Sequence, residues 1–150
     1  MDRVDMNLFT IGFTGKSAEK FFALLESSKA TKLIDIRINR TSQLAGFAKE
    51  QDLKFFLPKL AGMDYLVRED LAPTKELLSS YREKEIDWEK FAMKYQELLV
   101  TRGLTESLNS EVFDNAVLLC SENEPDKCHR LLLANLISEK LPTLKITNLV

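Results

Sequence analysis

Short β-prone runs alternating with helical stripes constrain this chain more than any other feature. Residues 8–12, 32–37 and 117–120 are brief and apolar, and the first two lead through turn-rich stretches (12–15 and 39–46) into segments with helical spacing. In the first such segment Ser17 is an N-cap, and Phe21, Phe22, Leu24 and Leu25 form the stripe. In the second, from about 49 to 60, Leu53, Phe56, Leu57 and Leu60 face inward and Gly62 ends the helix. Tyr65-Leu66-Val67 predicts a third strand. Pro73 opens a helical stretch to about Lys84, Asp87 caps a longer helix through Arg102, and Gly103 stops it. After the fourth strand, residues 131–137 continue a helix that Pro142 breaks, and 144–149 close the sheet with Leu144, Ile146 and Asn148 in alternation. Strands alternating with helices predict a parallel sheet covered on both faces. The expectation is one α/β domain over residues 1–150, three layers deep, around a mostly parallel five-stranded Rossmann-like sheet ordered 3-2-1-4-5.

A chain of 150 residues can bury a proper core without disulfide staples. Its 21 Lys and Arg against 23 Asp and Glu give a net charge of -2, so no bulk attraction to nucleic acid or to an anionic membrane is expected. The first residues lack the basic-then-apolar pattern of a signal peptide, and no apolar run approaches the ~18 residues of a membrane span. A cytoplasmic protein with reduced thiols is the expectation.

Thiol and imidazole chemistry is concentrated in one place. Both cysteines and the only histidine fall between Cys120 and His129, on a strand, an acidic turn and the start of a helix. If Pro125 opens that helix, Cys128, His129 and Arg130 occupy its first turn. Free backbone N–H groups there favour anions and lower a thiol's pKa, and Arg130 adds a fork suited to phosphate or carboxylate. Glu122, Glu124 and Asp126 surround the same turn with negative charge. Cys120, Cys128 and His129, with Glu122, are legitimate zinc ligands by type, but adjacent residues on a helix diverge and no CxxC or HxxxH spacing exists. A disulfide between the two cysteines is conceivable, and packing as small hydrophobes is the bland alternative. The cysteine loops of phosphatases and rhodaneses need an arginine about six residues after the cysteine. Asp126 and Ala134 stand there, which disfavours that chemistry.

Other motifs are weaker. Asp35 and Arg37 alternate with Ile34 and Ile36 and so share one face at the end of the second strand, beyond which ligands of parallel sheets bind. Asp35 could orient Arg37 as an anion clamp, with Arg40 and Ser42 on the following loop; a local salt bridge explains the pair equally well. Thr14-Gly15-Lys16-Ser17 looks like the end of a phosphate loop, yet Thr10 stands where its first glycine belongs. Trp88, Phe91 and Tyr95 have core spacing rather than that of a base-stacking platform.

Taken together, Thr10-Ile11-Gly12, Gly15-x-Ser17, Leu33-Ile34-Asp35-Ile36-Arg37, Ser42 with Phe47, Gly62-x-x-Tyr65, Leu119-Cys120-x-Glu122 and Pro125-x-x-Cys128-His129-Arg130 resemble domain-of-unknown-function family 488 over roughly residues 8–140. The resemblance implies a compact α/β domain with a polar site built from those Asp, Arg, Cys, Glu and His positions, and it carries no activity. The family's frequent Leu-Gly-Gly after the tyrosine appears here as Asp70-Leu71-Ala72-Pro73.

The expected function is that of an enzyme acting on an anionic small molecule, nucleotide- or phosphate-like. Asp35, Arg37, Ser42 and Arg130 would bind the ligand; Cys120 or Cys128 would be the nucleophile, with His129 or Glu122 as general acid or base. A non-catalytic binding module for a ligand or partner, or a structural metal site on the cysteines and histidine, are the alternatives. No cofactor is expected.

Overall fold

A computed structural model describes residues 6–38, 40, 46–120 and 129–150 of the chain. Five strands, β1 (Met6–Gly12), β2 (Lys32–Asp35), β3 (Asp64–Val67), β4 (Ala116–Cys120) and β5 (Leu144–Leu149), form one sheet in which every pairing is parallel. Its order is β3-β2-β4-β1-β5, which corrects the expected 3-2-1-4-5. Strands one and four are neighbours as anticipated, but they exchange places. The order depends on how the connecting helices cover the sheet, and the side chains are compatible with it. Ala116-Val117-Leu118-Leu119-Cys120 is buried at every position, so it tolerates a neighbour on each edge and a helical layer on each face. β1 carries Asn7 and Thr10, and next to β5 the Thr10 hydroxyl donates to Asn148 Oδ1 at 2.5 Å.

Between the strands run α1 (Ala18–Ser28), α2 (Glu50–Leu60), α3 (Lys75–Arg82), α4 (Trp88–Thr101), two short helices α5 (Leu104–Ser107) and α6 (Ser110–Phe113), and α7 (His129–Lys140). Ser17, Thr74 and Asp87 cap α1, α3 and α4 by accepting the backbone N–H of Lys20, Leu77 and Lys90. The two short helices had no expectation from the sequence. Four residues bury too few side chains to leave a periodic stripe, and Gly103, in the left-handed region at φ 81°, reads as a stop for α4 although it also starts α5.

Alternation along the strands sorts the core into two layers. Leu33, Val117, Leu119 and Ile11 meet Phe21, Phe22 and Leu25 of α1 and Leu53 and Leu57 of α2 on one face. Ile34, Ala116, Leu118 and Leu8 meet Leu77, Phe91, Tyr95 and Leu99 of α3 and α4, and Leu133 and Ile137 of α7, on the other. After β2 the chain passes to the first face, and after β4 to the second. The carboxyl ends of these neighbouring strands therefore border a crevice, where such sheets bind ligands. Among the described residues, no helix is long and apolar enough to cross a membrane.

One turn beside that rim is tied down by side chains. The buried Tyr95 hydroxyl donates to the Leu71 carbonyl at 2.5 Å, and Arg102 Nη1 donates to the carbonyls of Asp70 at 2.8 Å and Ala72 at 2.7 Å. Neither Leu71 nor Ala72 needs a positive φ in this turn. Tyr95→Phe is expected to lower stability by about 1–2 kcal/mol in urea unfolding, since the Leu71 carbonyl keeps its burial and loses its donor. An unchanged midpoint would mean the hydroxyl does not hold the turn.

Candidate functional site

Asp35 is the last residue of β2 and fully buried. Its Oδ1 accepts the Arg37 backbone N–H at 3.1 Å and Arg37 Nε at 2.8 Å, and its Oδ2 accepts Arg37 Nη2 at 2.7 Å. The guanidinium and carboxylate thus meet fork to fork. Arg37 also lies over the Phe13 ring, 5.3 Å from its centroid. The Tyr65 hydroxyl completes the cluster by donating to Asp35 Oδ2 at 2.5 Å. Burial first, and then the Asp35 charge, push the Tyr65 pKa well up, so the phenol stays a donor.

Sequence reasoning used Tyr65 only as a strand residue and as part of a family motif. Strand register is what brings it to the cluster. Tyr65 pairs in register with Leu33, two residues from Asp35 and therefore on the same face. The structure also shows Arg37 largely neutralised by Asp35, a pairing that local charge alternation left open.

His129, the first residue of α7, approaches the same rim from the opposite layer. Its Nε2 lies 3.0 Å from the carbonyl oxygen of Ile36, the residue between Asp35 and Arg37. A carbonyl only accepts, so Nε2 carries the proton, and Nδ1 presents its lone pair. Nδ1 lies 3.9 Å from Cys120 Sγ. Burial, chiefly, depresses the His129 pKa to about 4; the Ile36 carbonyl opposes the shift, and the Arg130 and Arg82 charges add to it. The imidazole is therefore neutral around pH 7. Tyr95 stacks edge-on against it, with centroids 5.7 Å apart at 84°.

Cys120 ends β4 in register with Gly12 of β1, and the Ile36 N–H donates to the Leu119 carbonyl at 3.2 Å, which locks the three strand ends together. The Cys120 sulfur is disulfide-bonded, unlike the reduced thiol expected from composition, and the residue is buried. The chain's other cysteine is Cys128. Cys128, Glu122 and Ser42 lie outside the described residues. Arg130 is fully buried on the first turn of α7. Asp35, Arg37, Cys120 and His129 are thus brought to one rim. Among the described residues, no group of three or more His, Cys, Asp or Glu side chains is arranged to hold a metal ion.

The phosphate-loop look-alike resolves into a turn and a cap. Lys16 N–H donates to the Phe13 carbonyl at 3.1 Å, Gly15 takes φ 81°, and the Ser17 hydroxyl is committed to the Lys20 N–H.

Outside the buried rim, a cleft of about 520 Å³ opens between the segment after β2 and α3, lined by Ile38, Arg40, Glu50, Lys75, Leu78, Ser79 and Arg82. Arg40 joins it to the rim, since its Nη1 donates to the Arg37 carbonyl at 3.3 Å. Lys75 and Arg82 were not singled out in the sequence. Only the direction in which their helix face points places them in the wall of the cleft.

The family described as domain of unknown function DUF488 matches residues 17–137 of the chain. Comparisons with curated proteins and with solved structures found no match.

Proposed function

The chain belongs to the DUF488 family of domains of unknown function, and from that premise we propose that it is an enzyme acting on an anionic small molecule through thiol chemistry at the sheet rim. The observation that carries the reading is the His129 imidazole, held in its Nε2–H form by the Ile36 carbonyl with its Nδ1 lone pair 3.9 Å from Cys120 Sγ. The imidazole is neutral at pH 7, so Nδ1 can accept a hydrogen bond from a thiol while Nε2–H stays on the Ile36 carbonyl, and His129 or Glu122 serves as general acid or base. In the reduced protein Cys120 or Cys128 supplies the sulfur nucleophile, and the thiol proton passes to the base. Asp35 and Arg37, locked together, position the backbone of Ile36 and so the imidazole, while Arg130, buried at the start of α7, lends its charge to the site and Ser42 contacts the ligand.

A second reading is a ligand-binding module without catalysis, its cysteines paired for structure. The bonded, buried sulfur of Cys120 favours it.

Alkylation of the reduced protein, followed residue by residue across pH, separates the two. In the enzyme, one cysteine reacts as a thiolate with an apparent pKa below the usual ~8.5, and His129→Gln slows it at neutral pH by about tenfold. Two thiols that react only after unfolding, at rates indifferent to His129→Gln, would leave the binding module.

A further inference from the structure

We propose that the cleft between α3 and the segment after β2 binds a phosphate-bearing small molecule, gripped by Lys75 and Arg82 with the Ser79 hydroxyl between them. Calling that molecule the substrate rests on the reading of the rim as an active site; the binding itself does not.

Lys75, Leu78, Ser79 and Arg82 stand at i, i+3, i+4 and i+7 of α3, so one helical face supplies two cations and a hydroxyl to the same wall. Ile38, Arg40 and Glu50 form the facing wall. The cation there is taken up by two carboxylates: Arg40 Nε lies 3.3 Å from Glu50 Oε1, and its Nη2 lies 2.8 Å from Glu69 Oε1. Among the described residues, neither Lys75 nor Arg82 has an ion-pair partner. A dianion seated between them would meet both cations. The guanidinium fork fits the edge of a phosphate, and an ammonium and a hydroxyl can donate to the remaining oxygens.

The size and place of the cleft choose among anions. A volume of about 520 Å³ suits a small molecule of a few tens of atoms. A nucleic acid would need a broader basic surface than a chain of net charge -2 is expected to offer. The cleft opens at the carboxyl end of the sheet, and through Arg40 and the Arg37 carbonyl its wall is continuous with the backbone that holds His129. A phosphate anchored on α3 would leave the rest of its molecule beside the rim.

Pyrophosphate, titrated calorimetrically into the intact protein at low and at moderate salt, tests the assignment. The wild type is expected to bind it saturably, and Lys75→Gln and Arg82→Gln each to weaken binding about tenfold, the loss of one charged contact. Both side chains are exposed, so the fold is unaffected. Lys59→Gln removes the same charge from α2, where Lys59 lies over Phe55, and is expected to leave binding unchanged. Absence of saturable binding by the wild type at millimolar pyrophosphate, or equal weakening by all three variants, would overturn the proposal. His129→Gln and Cys120→Ser are expected to retain binding. Inert thiols with binding intact would defeat the active-site reading alone, whereas a reactive thiolate without binding would defeat this one alone.

Discussion

Asp35→Ala is expected to cost about 3–5 kcal/mol, a large part of the stability of a domain this size. The substitution strands a guanidinium that is 3% exposed, having lost its carboxylate partner at 2.7 Å and 2.8 Å. It also takes away the acceptor of the Tyr65 hydroxyl and of the Arg37 backbone N–H. Breaking a buried pair from one side costs more than removing the pair, because the surviving charge stays in a medium that solvates it poorly. The double variant Asp35→Leu with Arg37→Met is therefore expected to be more stable than Asp35→Ala. Urea unfolding of the wild type, the single variant and the double variant checks both statements. A loss below about 1 kcal/mol for Asp35→Ala would mean that Arg37 swings out to water and that the pair does not organise the rim.

Acidification is expected to remove about 3 kcal/mol through His129 alone, given a folded pKa of about 4 against an ordinary value of 6.5. Between those values the unfolded chain binds a proton on this imidazole and the folded one does not. The contribution is thus fully present above pH 6.5, falls as the pH drops toward 4, and changes no further below that. His129→Gln keeps an N–H for the Ile36 carbonyl and cannot titrate, so its stability should fall less than that of the wild type over this window, by about that amount. Because His129 is the only histidine, its ring resonances report the folded pKa directly. A midpoint near 6.5 in the folded protein would remove both this prediction and the argument that the imidazole enters as a neutral base.

Both results bear on the same structural fact. Ile36 is the hinge between the Asp35–Arg37 pair and His129. Its carbonyl fixes the imidazole, and its N–H is spent on Leu119. Loosening the ion pair should therefore alter the histidine's surroundings without touching the histidine.

The α/β class, the five strands and the placement of Asp35, Arg37, Cys120 and His129 at strand and helix ends were legible from the chain. Periodicities of two and 3.6 residues are local, and a side chain's face follows from them directly. Strand order was not. The apolar run 116–120 announces a strand buried on both faces, but whether it lies inside or outside β1 depends on how the connecting helices cover the sheet. The motif at 33–37 likewise reads equally well as a ligand clamp or a local pair, and only burial together with the Tyr65 hydroxyl from a third strand makes it a closed cluster. The histidine was visible as a scarce residue beside two cysteines, while its tautomer and depressed pKa come from a carbonyl 93 positions away in the sequence and from the layers packed around it. Lys75 and Arg82 look like any solvated helical charges until α3 is set against the segment after β2. Sequence alone determined which elements form and on which face of its own element each candidate residue stands. Tertiary structure decided which of those faces meet, because that depends on contacts between segments far apart in the chain, which no local period encodes.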